Sequence, residues 1–272
     1  MRYPKCNLHT HTNFCDGDHT PEEVVQSAVS LGMECLGFSG HSYTAFETSY
    51  CMSQEGTERY RKEIARLKDE YREQIRILCG IEQDFYAAEP AKGYDYIIGS
   101  VHYLWADGCY LPVDESREVL CEAVREHFGG DIYRFVKCYY ETVAQLKNKT
   151  GCDIVGHLDL VEKYNRGESL FSSSDYRYRR ALLDAVDALL GQDVIFEINT
   201  GAMARGYLDT PYPSAYALRR IAEKRGRVIL NSDAHSKDRL LWAFPDAVRY
   251  AHACGVGGLT VLGAHGWETR PI

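Results

Sequence analysis

The sequence lacks several features that would define its class at once. No stretch approaches the ~18 consecutive apolar residues of a membrane span, and the first ten residues lack the apolar run of a signal peptide. No CxxC pair occurs among the ten cysteines, and no Gly/Ser/Pro-rich stretch marks a linker. These absences predict one domain over residues 1–272, in a reducing cytoplasm.

An excess of positive charge is also missing. The chain has 39 acidic residues against 31 lysines and arginines, which gives a formal net charge of −8. A surface of this sign repels nucleic acid and anionic membranes on average, so we expect a small-molecule partner instead. An anionic ligand would need strong local positive charge. The oligomeric state is not indicated.

Short apolar runs alternate with amphipathic segments along the chain. The segment HTPEEVVQSAVSLGM predicts a helix, with Thr20 as N-cap, Pro21 in the first turn and Glu23 completing a capping box. Further helices are predicted at 57–71, 132–147, 176–190, 214–224 and 246–253, and eight apolar runs predict strands. This alternation predicts parallel strands in a closed barrel or a doubly wound sheet. Residues 104–130 are expected to form an irregular insertion with one short helix.

Histidines and acidic residues follow the ends of the predicted strands. They are His9, His11, His41, Glu82, His102, His157, Asp233 and His235. A single HxH pair or strand-end histidine is usually an ordinary polar group, but the carboxyl ends of parallel strands share one rim, where active sites lie. The joint pattern therefore predicts a metal site, and imidazole with carboxylate suits Zn²⁺, Fe²⁺ or Mn²⁺.

The ordered segments HTHTNFCDG, GFSGH, GIE, IIGSVH, IVGHLDL and NSDAH resemble the motifs of the polymerase-and-histidinol-phosphatase (PHP) family. Within it, they are most similar to the histidinol-phosphate phosphatase branch. The resemblance implies an α/β fold, a distorted, TIM-like (β/α)7 barrel with a metal site at the C-terminal ends of the strands. It also implies that one of the eight predicted strands lies outside the barrel.

The resemblance further implies three divalent metal ions, either zinc, iron or manganese. The first would be held by His9, His11, Glu82 and Asp233; the second by Glu82, His102 and His157; the third by Asp16, His41 and His235. Some family members have histidine where this chain has Asp16. Many have aspartate at the position of Gly40, so any role of that carboxylate is absent here or supplied elsewhere.

The function implied is hydrolysis of L-histidinol phosphate to L-histidinol and phosphate in histidine biosynthesis, by attack of a metal-bridging hydroxide. Glu82, Asp233 and His235 are the predicted catalytic residues, although the proton donor to the leaving group stays open. Arg205 and Lys163 are predicted to bind the phosphate, because a cation matches its oxygens. Arg166 competes with Lys163, and an ordinary surface cation remains an alternative for each.

Other functions remain open from the sequence. The same chemistry on another small phosphate ester is the nearest alternative. A nuclease would fit the wider family, but the acidic charge and the lack of a basic stripe argue against it. A non-catalytic metal-binding or docking module is the remaining possibility, against which the complete ligand set speaks.

Overall fold

The structure is a computed structural model that describes residues 3–272. Within this range, seven strands form one parallel sheet in the order β1-β2-β3-β4-β7-β8-β9. They are β1 (Cys6–Asn7), β2 (Cys35–Phe38), β3 (Arg76–Asp84), β4 (Tyr96–Ser100), β7 (Ile154–Val155), β8 (Ile195–Asn199) and β9 (Arg227–Asn231). The predicted parallel α/β class is confirmed.

The first and last strands of the sheet meet beyond their carboxyl ends. Thr10 and Ala234 form a parallel bridge; the His11 N–H donates to the Ala234 carbonyl at 2.8 Å, and the Ala234 N–H donates to the His9 carbonyl at 3.1 Å. These bonds curl the sheet into a nearly closed barrel. Of the two architectures that the alternation allowed, the barrel is the one adopted.

Helices surround the barrel, and the short one that begins at Gly201 lies at the rim beside Asp233. They are α1 (Pro21–Ser30), α2 (Gln54–Glu70), α3 (Arg117–His127), α4 (Ile132–Val143), α5 (Leu146–Thr150), α6 (Tyr176–Leu190), α7 (Gly201–Ala204), α8 (Ala215–Glu223) and α9 (Phe244–Ala253). The predicted capping box opens α1, where Thr20 and Glu23 each bond the other's backbone N–H. The helical stretch predicted over 132–147 is present but divided in two. The Gln145 N–H bonds three residues back to Thr142, and this tighter turn separates α4 from α5.

The barrel interior is filled by alternate residues of the strands, which point inward together. Leu8, Leu78, Ile98, Ile154, Ile195 and Ile229 share one buried cluster with Tyr96. The Tyr96 ring crosses the interior, and its hydroxyl lies 2.9 Å from the Phe38 carbonyl. Gly37 and Gly80 make this possible, since a Cβ at either position would lie within 2.4 Å of a Tyr96 atom.

The insertion between β4 and β7 is more regular than expected. Strands β5 (Tyr103–Ala106) and β6 (Cys109–Pro112) form an antiparallel hairpin, and α3 follows. Asp107 and Gly108, at the turn, both have positive φ, as the tight turn of a two-residue hairpin requires. The expectation of an irregular segment over 104–130 is therefore wrong in its first part.

The last predicted strand lies outside the barrel, as the resemblance implied. It is β10 (Gly258–Gly263), and it pairs antiparallel with β11 (Gly266–Pro271). Val261 of β10 packs into the interior cluster and so covers the barrel at the end away from the strand carboxyl ends. Among the helices of residues 3–272, none combines the length and the apolar character that crossing a membrane requires.

Candidate metal centre

The nine predicted metal ligands converge at the C-terminal rim of the barrel. In the first predicted set, His9 Nε2 lies 3.3 Å from Glu82 Oε2 and 3.6 Å from Asp233 Oδ1. His11 Nε2 lies 3.5 Å and 3.3 Å from the same two oxygens. Four donor atoms from three strand ends therefore face one point.

The donor atoms of the third predicted set lie together, joined by His11. Those of the second are shared between two groups, in which Glu82 lies with His9 and His157 and with His41 and His102. His157 Nε2 and His102 Nε2 lie 2.9 Å and 3.5 Å from Glu82 Oε1. His235 Nε2 and His41 Nε2 lie 3.3 Å and 3.6 Å from Asp16 Oδ2. Glu82 thus directs Oε2 to the first set and Oε1 to the second, which is the arrangement that a bridging carboxylate needs.

The donor atoms fit divalent metal ions. Bonds of about 2.1 Å in a tetrahedral arrangement separate ligand atoms by about 3.4 Å, close to the distances above. Two of the buried donors, His9 Nε2 and His11 Nε2, have no hydrogen-bond partner among the described residues. A buried polar atom without a partner is costly, and a cation between these atoms would satisfy both.

The electrostatics of the centre couple cation binding to protons. Burial disfavours a charged His9, but Glu197 and Glu82 outweigh it and raise the His9 pKa well above its usual value. Burial is likewise outweighed at His41 and His102, whose pKa values are also raised, chiefly by Glu82. Burial, with His235 and His41, lowers the pKa of His11 to about 3. A cation that binds here competes with protons for these imidazoles, so its affinity should fall at low pH.

Local backbone features direct the ligands. Asp233 adopts a left-handed conformation with φ of 51°, which aspartate tolerates better than most residues. At Gly40, a Cβ would lie 3.1 Å from the side chain of Met52, so Met52 packs closely against this glycine. The next residue, His41, directs Nδ1 to Glu82 Oε2 at 2.9 Å.

Two buried carboxylates behind the ligands were not among the predicted site residues. Glu197 lies 2.7 Å from His9 Nδ1, and Asp84 lies 3.1 Å from His102 Nδ1. Each acid stands in a buried strand, in VIFEINT and GIEQDF, where a charged side chain needs a partner. Asp84 also lies two residues beyond Glu82, and this spacing places both side chains on one face of β3. Those two signals could have identified them.

A cavity of about 530 Å³ opens over the donor atoms. Arg205 lies on its wall, where it donates to Asp233 Oδ2 at 3.0 Å and lies 3.1 Å from His235 Nδ1. Lys163 also lines it, but its ammonium group is held by Asp114, 2.7 Å from the carbonyl and 3.0 Å from Oδ2. Arg166 is not part of the wall and forms an exposed ion pair with Asp209.

Comparison with known proteins agrees with this geometry. The PHP domain family matches residues 7–201, nearly three quarters of the chain, and the chain belongs to this family. A probable histidinol-phosphatase of Deinococcus radiodurans is 30% identical over 271 residues, 96% of each chain. A histidinol-phosphatase of Bacillus subtilis is 27% identical over 261 residues, covering 87% of this chain and 95% of that protein.

Solved structures share the fold. The putative histidinol phosphatase of Listeria monocytogenes superposes with a TM-score of 0.75 at 19% identity, over 89% of this chain and 99% of that one. The histidinol phosphate phosphatase of Lactococcus lactis, solved with zinc, L-histidinol and phosphate, has a TM-score of 0.71 at 20% identity, over 98% and 100%. At this identity the likeness defines the fold, the TIM-like barrel of the family.

Proposed function

We propose that this chain is a metal-dependent phosphomonoester hydrolase that converts L-histidinol phosphate and water to L-histidinol and phosphate, a step of histidine biosynthesis. The observation that carries the proposal is the position of Glu82, whose two oxygens face two separate groups of imidazoles beside Arg205 and an open cavity. The names of the curated relatives support this substrate.

Each residue of the site has a distinct proposed role. His9, His11, Asp16, His41, Glu82, His102, His157, Asp233 and His235 would hold up to three divalent cations. When bound, these cations would supply activated water and polarise the phosphoryl oxygens. Arg205 would bind a phosphoryl oxygen through its guanidinium group, in a site that the barrel rim keeps partly dry. Lys163 would contribute positive charge that Asp114 offsets.

The charges of the site favour a dianionic ligand. Five carboxylates lie among or directly behind the donor atoms, and one guanidinium group lies beside them: Asp16, Glu82, Asp84, Glu197 and Asp233, with Arg205. If the imidazoles bind as neutral ligands, three divalent cations together with these five carboxylates and the guanidinium group have a net charge of +2. A phosphate monoester dianion carries the opposite charge. Zinc is the first candidate, and iron or manganese also suit such ligands.

The test combines metal content with turnover. Purified protein, loaded with zinc, iron or manganese in turn, is assayed for bound metal per chain and for hydrolysis of L-histidinol phosphate and of p-nitrophenyl phosphate. A clear preference for histidinol phosphate is expected. Equal rates on both esters would assign the site to another small phosphate ester, and a loaded protein inert on both would remove the enzymatic proposal.

Glu82→Gln tests the bridging role. The amide keeps the shape but loses the charge and one acceptor, so bound metal and turnover should fall together, with turnover down by at least about 100-fold, about 3 kcal/mol. Glu162→Gln is the matched control, because Glu162 is a partly buried carboxylate outside the donor groups. Full metal content and activity in Glu82→Gln would contradict the assignment.

The single domain over 1–272, the cytoplasmic location and the individual ligand roles stay predictions. The continuous sheet supports the first, because Thr10 and Ala234, just beyond β1 and β9, form a bridge between the two ends of the chain.

A further inference from the structure

The carboxylate of Glu197 is fully buried behind the donor groups and accepts four hydrogen bonds. Oε1 receives His9 Nδ1 at 2.7 Å and Asn231 Nδ2 at 2.8 Å. Oε2 receives the His157 N–H and Asn199 Nδ2, both at 2.8 Å. These bonds use all the acceptor capacity of an ionised carboxylate, so its charge is stabilised without a proton.

The two asparagines cannot turn to offer oxygens instead. Asn199 Oδ1 accepts the Gly201 N–H at 2.8 Å, and Asn231 Oδ1 accepts the Leu8 N–H at 2.8 Å. Each side-chain NH₂ group must therefore face Glu197. All four neighbours of the carboxylate are donors, and the His9 ring is one of them.

We infer that Glu197 is a positioning residue that fixes His9 as a metal ligand. By accepting the Nδ1 proton, it leaves the Nε2 lone pair free to face Glu82 Oε2 and Asp233 Oδ1. The same carboxylate holds the backbone of His157, so one side chain aligns a ligand of the first predicted set with a ligand of the second. Glu197 does not touch the cavity and acts only through these neighbours.

Glu197→Gln tests this role, since glutamine matches the shape but presents an NH₂ group to two donors whichever way it turns. We expect affinity for Zn²⁺, measured by competition with a chromophoric chelator, to fall by about 10- to 100-fold. The visible absorption of the Co²⁺-loaded protein should change as well, because the orientation of the His9 ring changes.

Asp159→Asn is the control for loss of a buried carboxylate. Asp159 is 1% exposed and accepts the Ser214 N–H at 2.6 Å, but it bonds none of the ligand imidazoles. The Asp159→Asn substitution should lower thermal stability and leave Zn²⁺ affinity and the Co²⁺ spectrum unchanged. Zn²⁺ affinity of Glu197→Gln within twofold of the parent, or an equal loss in Asp159→Asn, would overturn the inference.

A measurement on the unaltered protein covers the case in which Glu197→Gln does not fold. Long-range ¹H–¹⁵N spectra of the Zn²⁺-loaded protein report which ring nitrogen of each histidine carries the proton. His9 should carry it on Nδ1; a proton on Nε2 would refute the positioning role.

The inference rests on the metal-dependent function proposed above, but these readouts need no substrate. Tight zinc binding with no hydrolysis would reject the proposed activity and leave the role of Glu197 intact.

Discussion

Two arginines that follow strand ends in the sequence have different surroundings in the structure. Arg205 lies on the cavity wall, within 3.1 Å of Asp233 and His235, and is one-third exposed. Arg166 is 60% exposed and paired with Asp209. At the scale of single residues, this difference decides which cation reaches a phosphate bound over the donor atoms.

Arg205→Gln should lower kcat/KM for phosphate monoesters by about 10- to 100-fold, because a charge-assisted hydrogen bond is worth about 1.5–3 kcal/mol. Arg166→Gln should leave kcat/KM unchanged. Steady-state kinetics on both variants check the pair, and equal effects would place the phosphate elsewhere.

Eight of the nine predicted ligands could be read from the sequence because they follow strand ends, and parallel strands bring their carboxyl ends together. Asp16 lies in the turn before α1 and was identified only by the resemblance to the family. The partner that each charged side chain binds could not be predicted in the same way. Lys163 follows His157 closely, yet its ammonium group is bound to Asp114, 49 residues earlier. The buried strand around Glu197 indicates that this acid has a partner, but nothing local indicates that the partner is His9, 188 residues away.

At the scale of elements, the barrel interior depends on close contact between strands β3 and β4. A Cβ on Gly80 would lie 2.2 Å from Cζ of Tyr96, which β4 places across the interior. Neither the ring nor the strand backbone has room to move, because the Tyr96 hydroxyl also meets the carbonyls of Leu8 and Phe38.

Gly80→Ala should therefore destabilise the protein by about 1–3 kcal/mol or more, as overpacked cores do. Gly257→Ala is the matched control, because no atom lies within 4 Å of its would-be Cβ. Denaturant unfolding of both variants measures the difference. A Gly80→Ala protein as stable as the Gly257→Ala protein would show that β3 and β4 adjust more freely than the packing implies.

Elements with strong local signals were predicted well. Helix α6 begins and ends where the pattern placed it, and the Thr20–Glu23 capping box marks the start of α1. The hairpin of β5 and β6 was missed although Asp107-Gly108 is a recognised turn pair, because its exposed aromatic strands lack a clear alternation.

At the scale of the whole molecule, the partly buried Glu162 gives stability a dependence on pH. Burial, and then the neighbouring Asp159, raise the pKa of Glu162 to about 8, above its usual value of 4.5. The folded state therefore binds more protons than the unfolded state between these pH values, and Glu162 makes stability fall as pH rises through this window.

Glu162→Gln removes this titration. The variant should gain stability relative to the parent as pH rises from about 5 to about 8.5, with little difference at the acid end. Urea unfolding of both proteins at several pH values, in chelator, gives the comparison. A difference that does not change with pH would show that Glu162 is ionised in the folded protein.

The closure of the barrel has a consequence for how the protein matures during synthesis. The first and third predicted sets combine residues from both ends of the barrel: His9 and His11 with Asp233 in the first, and Asp16 and His41 with His235 in the third. The two ends meet only when Ala234 bonds His9 and His11. The second set, Glu82, His102 and His157, is complete much earlier in the nascent chain. The proposed metal centre can therefore form in full only after almost the entire polypeptide has left the ribosome.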